Sequence, residues 1–224
     1  MDNRSAADRR GVTTTAMDSK EQILDRYAEH LRENGTRPKS VFTFCKDLQI
    51  SEEDFFRCYG SFDAVEEEFW RRMIQNVIAS VTAGPEWAGF GARQRTLAFL
   101  FGFLEASLRV RSILLIRKES FRPLCRSTWL RGFGDAHKEF MRGVLAHGHD
   151  TNEIAERGAL ASVYPDLFFT HLLAVIDFHL ADTSVGFERT DAFVEKTVNL
   201  VFDLIRTQAI DSAFDLVRFL IPRR

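Results

Sequence analysis

Six histidines, three cysteines and a run of three carboxylates are the side chains in this sequence whose types and spacing invite a chemical reading. His147, His149 and Asp150 fall in "HGHD", a spacing that could begin a metal site. A structural or catalytic zinc ion needs three or four such ligands, usually from more than one element. No further helix-borne pair accompanies these, so a solvated glycine turn and no metal are expected. His137, His171 and His179 stand alone on apolar stretches and read as core or interface residues. Cys45, Cys58 and Cys125 are odd in number and widely spaced, which suggests neither a disulfide framework nor a zinc site and fits a reducing cytoplasm. No nucleophile with a neighbouring base, phosphate-cradling glycine loop or paired-carboxylate signature is visible. Enzyme activity and a bound cofactor are therefore not expected. That leaves Glu52, Glu53 and Asp54, placed directly after Ser51.

The elements that would position these residues read as helices throughout. Residues 1–17 are polar, small and aperiodic, and are expected to form a disordered tail. Its arginines, Arg4, Arg9 and Arg10, read as solvated. A helix-turn-helix module is expected over residues 18–64 and a helical domain over 65–224. Asp18 is placed as the first N-cap, and Ile23, Leu24, Tyr27, Ala28 and Leu31 repeat at helical spacing. Gly35 supplies a left-handed stop. Ser40 caps a short helix with Val41, Phe44, Cys45 and Leu48 inward. Ser51 caps the next, and Ser61 caps a long fourth helix with Asp63 and Glu66 near its positive end.

The longer remainder is also helical, with breaks at Pro123 and in the segment 148–152, a start at Pro165 and another at Thr190. The fold class is all-α, with no strand pattern and no internal repeat. No apolar run reaches the roughly 18 residues of a membrane span.

Composition narrows the functions. The chain has 224 residues, is 45% apolar and contains 21 phenylalanines, enough for a broad apolar interior. Its 30 basic and 32 acidic residues give a net charge of −2, so any contact with nucleic acid must be local.

Residues 20–70 resemble the TetR/AcrR family of bacterial regulators in "ILDRYAEHLRENG", "SVFTFCKDLQIS" and "FFRCYGSFDAV". Phe55, Phe56, Tyr59, Ser61, Asp63, Ala64 and Val65 sit on the family's frame without a gap. The resemblance implies a homodimer whose N-terminal modules bind a palindromic operator. It also implies a C-terminal domain that takes up a small, often hydrophobic molecule. Ligand binding in the family moves the fourth helix and changes the spacing of the two modules.

The departures from that pattern concern charge. Glu52, Glu53 and Asp54 stand where relatives carry basic or small residues, Gly or Ala, and Ser or Thr. Phe56 replaces a phosphate-contacting Tyr, Cys58 a second aromatic, Phe62 a Lys, and Phe42 a polar or basic residue. The leading turn of a recognition helix enters the major groove. A carboxylate about 7 Å from a phosphate costs about 0.6 kcal/mol in water and about 2 kcal/mol at an effective dielectric near 20. From Asp18 to Val65 there are ten acids and seven bases, a net of −3. DNA contact, if kept, would fall to Arg37, Lys39, Lys46, Ser51, Glu52, Phe56 and Arg57.

In the second domain, Phe99, Phe103, Phe121, Trp129, Phe133, Phe140 and Met141 are candidates to line an apolar ligand pocket, with Glu105 and Ser107 as possible polar handles. "HLLAVIDFHL" and "VEKTVNLVFDLI" are candidates for a dimer bundle. The first is apolar on every face and must bury both sides. Phe168, Leu172, Val175, Ile176 and His179 would face the seam with Val198, Val201, Phe202 and Ile205. Two functions stay open: a dimeric transcriptional regulator responding to a small hydrophobic ligand, or a lipid- or partner-binding protein on the same fold that has left DNA. The quinone-biosynthesis lipid-binding proteins, similar to TetR regulators in fold, are a precedent for the second.

Overall fold

The computed structural model describes residues 5–121, 127, 130–154 and 162–206, with residues 5–18 described by their backbone path alone. Trp129, Pro123, Cys125 and the expected C-terminal helix lie outside the described residues.

Helix α1 runs Ser5–Asn34 and stops at Gly35, whose φ of +67° is the left-handed conformation expected of it. The backbone is helical through residues 5–17, the stretch expected from its composition to be a tail. That stretch holds one glycine and no proline, so nothing in it forces a break. Asp18 consequently sits inside the helix and does not cap it. Helix α2 (Val41–Leu48) begins at Ser40, whose hydroxyl accepts from the Thr43 amide at 3.1 Å. A left-handed Gln49 (φ +58°) turns the chain into α3 (Glu52–Cys58). Helix α4 (Phe62–Thr82) begins at Ser61, which accepts from the Ala64 amide.

After a short 3-10 turn at Pro85–Gly89 come α5 (Ala92–Leu108) and α6 (Arg111–Ile116). Helix α7 (Arg131–Asp150) continues through "HGHD", so the histidines expected in a glycine turn lie on its last turn instead. Gly148 can be helical there because it packs against Ala92 and Ile154, where a Cβ would come within 3 Å of both. Among the described residues no group of three or more His, Cys, Asp or Glu is placed to hold a metal ion. Helix α8 (Tyr164–Ala181) carries Pro165 in its first turn.

Helix α9 (Glu188–Arg206) starts two residues before the expected Thr190. Thr190 is instead buried and donates from both its amide (2.9 Å) and its hydroxyl (2.7 Å) to Asp182. The amide and hydroxyl of Ser184 donate to the same carboxylate. Burial works against the charge of Asp182, but these donors hold its carboxyl well below the usual carboxylate range.

Helix α4 is the pillar of the molecule. It packs against α7 most extensively, then against α5 and α1. Trp70, fully buried on α4, meets Phe69 and Phe121 edge to face at 5.0 and 5.2 Å. The same helix therefore belongs to the core of the N-terminal module and to the core of the second domain. No helix among the described residues is long and apolar enough to cross a membrane.

Candidate functional site

The N-terminal module is held by rings. Phe62, the first residue of α4, stacks on Tyr27 at 5.7 Å and meets Phe44 and Phe55 edge to face at 5.4 and 5.5 Å. The position that carries a lysine in the resembled pattern is thus part of the module's interior. Phe55 is fully buried, while its neighbour Phe56 turns outward and is 53% exposed. Phe42, on α2, is 63% exposed. Both present large apolar surface on the two helices that would approach a partner.

The carboxylates of α3 serve its first turn and are partly neutralised. The Ser51 hydroxyl accepts from the Asp54 amide at 3.0 Å and donates to the Asp54 carboxylate at 2.6 Å. Arg57 folds back along its own helix to Glu53 at 2.5 Å and Asp54 at 3.6 Å. Its charge is therefore spent locally. Lys39 and Lys46 are exposed and unpaired among the described residues.

Arg37, expected at a DNA surface, points inward instead. Its Nε and Nη2 donate to Oε2 of Glu66 at 3.1 and 2.9 Å, and Nη2 also reaches Asp63 at 2.5 Å. The sequence reading had given Glu66 only the role of a carboxylate near a helix start. In the structure it has no exposed surface at all. Its Oε2 also accepts from the Tyr27 hydroxyl at 2.9 Å and from Arg117 Nη2 at 3.1 Å, while Arg117 Nε donates to Oε1 at 2.5 Å. Burial, and then the adjoining Glu66 charge, push the Tyr27 hydroxyl far up, so it stays protonated and donates. A buried carboxylate is tolerable only when it is paired and hydrogen-bonded, and this one is saturated. The four residues come from α1, the α1–α2 loop, α4 and the end of α6. They join the N-terminal module to the second domain.

The expected pocket walls are brought together, but as packed core. Phe99 lies 5.0 Å from Phe140 and 6.3 Å from Phe103, and Phe133 lies 6.0 Å from Phe103 and 6.2 Å from Phe121. Met141 is fully buried beside them. Within this core His137 is 2% exposed, its ring 5.2 Å from Phe99 and 5.9 Å from Phe169. Its Nδ1 is buried without a hydrogen-bond partner. Burial, with lesser repulsion from His171 and Lys138, drives its pKa down to about 3, so it is neutral. Phe169 closes the core above it: a Cβ on Gly134 would come 3.0 Å from that ring, so a larger residue there would have to push the ring aside by a few tenths of an ångström. Of the two suggested polar handles, Ser107 is buried and hydrogen-bonded to Leu104 and His179, and Glu105 is exposed.

The expected seam residues are turned the other way. Phe168, Leu172, Val175, Ile176 and His179 of α8, and Val198, Phe202 and Ile205 of α9, are all buried inside the single chain, and Val201 is half-buried. A helix apolar all round does bury both sides here, but much of that burial is against α7, α9 and the 3-10 turn Lys118–Phe121. The faces left outward carry Leu167 (41% exposed) and Leu200 (57%), with Phe178 and Phe193 stacked at 4.3 Å between the two helices. An open groove of about 580 Å³ lies elsewhere, between α1, α4 and α5. Leu24, expected on the apolar face of the first helix, and Glu105, expected as a polar handle, are among its lining residues.

A capped helix-turn-helix module joined through α4 to an all-helical second domain is the architecture these residues build. The family model described as "Tetracyclin repressor-like, C-terminal domain" matches residues 95–220, more than half of the chain. This chain belongs to the TetR family. It is similar in fold to a TetR-family transcription regulator from Shewanella sp. PV-4, at 14% identity and a TM-score of 0.58, covering 82% of this chain and 95% of that one. It is similar also to a transcriptional regulator from Cytophaga hutchinsonii, at 13% identity and a TM-score of 0.56, covering 84% and 98%. A protein of unknown function from Rhodococcus sp. RHA1 aligns at 14% identity and a TM-score of 0.57, covering 84% and 96%. No curated protein matches.

Proposed function

We propose that this chain is a homodimeric transcriptional regulator that releases or grips DNA when a small apolar molecule enters its second domain, without enzymatic chemistry. The observation that carries the reading is the Glu66 cluster. Tyr27 and Arg37 of the N-terminal module and Arg117 of the second domain share one carboxylate on α4. A ligand that shifts α4 or α6 must move or break those bonds, and the module moves with them. In this reading the ligand parts the packed rings beside Phe99 and Phe169, which flank His137, and the free Nδ1 of His137 offers it one polar contact in an apolar setting. DNA contact rests on Lys39, Lys46 and the α1 N-terminal turns, because Arg37 and Arg57 are engaged elsewhere. Dimerisation uses the outward faces of α8 and α9.

The exposure of Phe42 and Phe56 beside Glu52 and Glu53 favours a second reading, a module that meets a protein or lipid partner instead of DNA. A salt-dependent gel shift with the DNA upstream of the protein's own gene separates the two. Sequence-selective binding that weakens steeply with salt supports the regulator. Absence of any shift at about 50 mM salt, where phosphate contacts are strongest, overturns it in favour of the partner-binding protein.

A further inference from the structure

We propose that the groove between α1, α4 and α5 is a second binding site, separate from the aromatic core, and that it takes a lipophilic organic cation. The floor is apolar, built by Leu24 of α1, by Phe69, Met73 and Val77 of α4 and by Ala106 of α5. It is closed from below where α5 comes against α4: a Cβ on Gly102 would lie 2.7 Å from Cγ1 of Val81, so the approach requires glycine. A volume of about 580 Å³ falls in the usual range for sites that hold small organic molecules, roughly 300–1,000 Å³.

The rim decides the charge of the occupant. Asp25 stands on the α1 side and Glu105 on the α5 side, and neither carboxylate has an ion-pair or hydrogen-bond partner among the described residues. Arg72 of α4 is already held by Glu68 at 2.8 Å and by Glu21 at 3.3 Å. Arg109 at the α5 end is the other cation of the lining. The groove's three acids and two arginines leave a formal charge of −1, which one positive charge on a ligand balances. An apolar floor between two unpaired carboxylates fits a protonated or quaternary amine, or another delocalised cation with an aromatic or alkyl body. Because the walls come from α1 and α5, an occupant would bridge the N-terminal module and the second domain without entering the His137 core.

Two ions of the same shape and opposite charge test this. Titration of the full-length protein with tetraphenylphosphonium and with tetraphenylborate, followed by calorimetry, should give binding of the cation and at least about tenfold weaker binding of the anion, a difference of about 1.4 kcal/mol. The double variant Asp25→Asn/Glu105→Gln should weaken phosphonium binding about tenfold, or by about 1.4 kcal/mol, while retaining a cooperative melt. Ala106→Trp, which fills the floor, should abolish it. Glu139→Gln and Glu195→Gln, exposed acids on α7 and α9, should leave it unchanged. Equal binding of the two ions, no binding of the phosphonium, or an Asp25→Asn/Glu105→Gln variant that binds as the parent does would each overturn the proposal. The readout involves no DNA, so it stands or falls independently of the regulator reading.

Discussion

Arg117 Nε lies 2.5 Å from Oε1 of Glu66, a pairing that spans 51 residues of sequence and ties the end of α6 to the first turns of α4. Tyr27 and Arg37 complete the set on the other oxygen. Replacing Glu66 by Gln leaves two guanidinium groups facing a neutral amide. Removing one partner of a buried ion pair typically costs about 3–5 kcal/mol, and the lower end applies here because Arg37 is partly exposed and keeps Asp63. Tyr27→Phe removes one bond to a charged acceptor and should cost about 1.5–3 kcal/mol. Urea unfolding at neutral pH measures both. A Glu66→Gln protein as stable as the parent would remove the cluster from the account of how the two parts are joined.

Acid sensitivity follows from three histidines held in the neutral form, His137 and His179 buried and His171 half-buried. Burial lowers His137 to about 3, His171 to about 4 and His179 to about 4, against an ordinary value near 6.5. Between those values the unfolded chain binds protons that the folded chain refuses, so stability falls as pH drops from about 6.5 toward 4. Each group contributes a slope of up to about 1.4 kcal/mol per pH unit. His137→Leu should flatten that limb by one group's share. Urea midpoints compared at pH 7.5 and pH 5 decide it, and an unchanged slope in the variant would show that His137 is not the buried neutral group described.

Charge on α3 can be edited without touching the interior. Glu53→Gln should leave Arg57, which is 70% exposed, held only by the longer 3.6 Å pair with Asp54 and able to turn toward a phosphate. Non-specific DNA affinity should then rise several-fold at low salt, and the salt dependence should steepen by roughly one unit, the signature of one added phosphate contact. Filter binding over a salt series measures it. No change in slope would mean that Arg57 does not reach DNA even without Glu53.

The two faces of α9 should answer differently to the same substitution. Leu200→Glu adds charge to an outward, 57% exposed position and should turn the proposed dimer into a folded monomer, read by light scattering behind a sizing column. Val198→Glu, two residues away and fully buried, should unfold the protein, since an unpaired charge in an apolar core costs several kcal/mol. A dimer that survives Leu200→Glu intact would place the seam elsewhere.

Much of the local structure was legible because it is written in neighbouring residues. Ser40, Ser51 and Ser61 cap as their spacing indicates, Gly35 takes the left-handed stop and Pro165 opens α8. What was not legible depends on residues far apart. Glu66 is one of three consecutive glutamates, and nothing in "EEE" says which of them is buried; that is fixed by Tyr27, Arg37 and Arg117 converging from three other elements. Arg37 carries the charge of a phosphate contact, and only the fold turns it inward. The periodicity of α8 indicates burial on most sides, but not that Phe168, Leu172, Val175, Ile176 and His179 are covered within the chain itself while Leu167 stays outward. Helical backbone through residues 5–17 has no apolar stripe to announce it.

The ring cluster of Tyr27, Phe44, Phe55 and Phe62 gives the N-terminal module an interior that owes nothing to Glu52, Glu53 or Phe42, while the half-exposed Phe56 leans on it edge to face, 5.4 Å from Phe55. Natural drift at those outward positions therefore leaves the scaffold intact. The residues this module presents at Glu52, Glu53 and Phe42 can be rewritten through a handful of codons without disturbing the rings that hold it together.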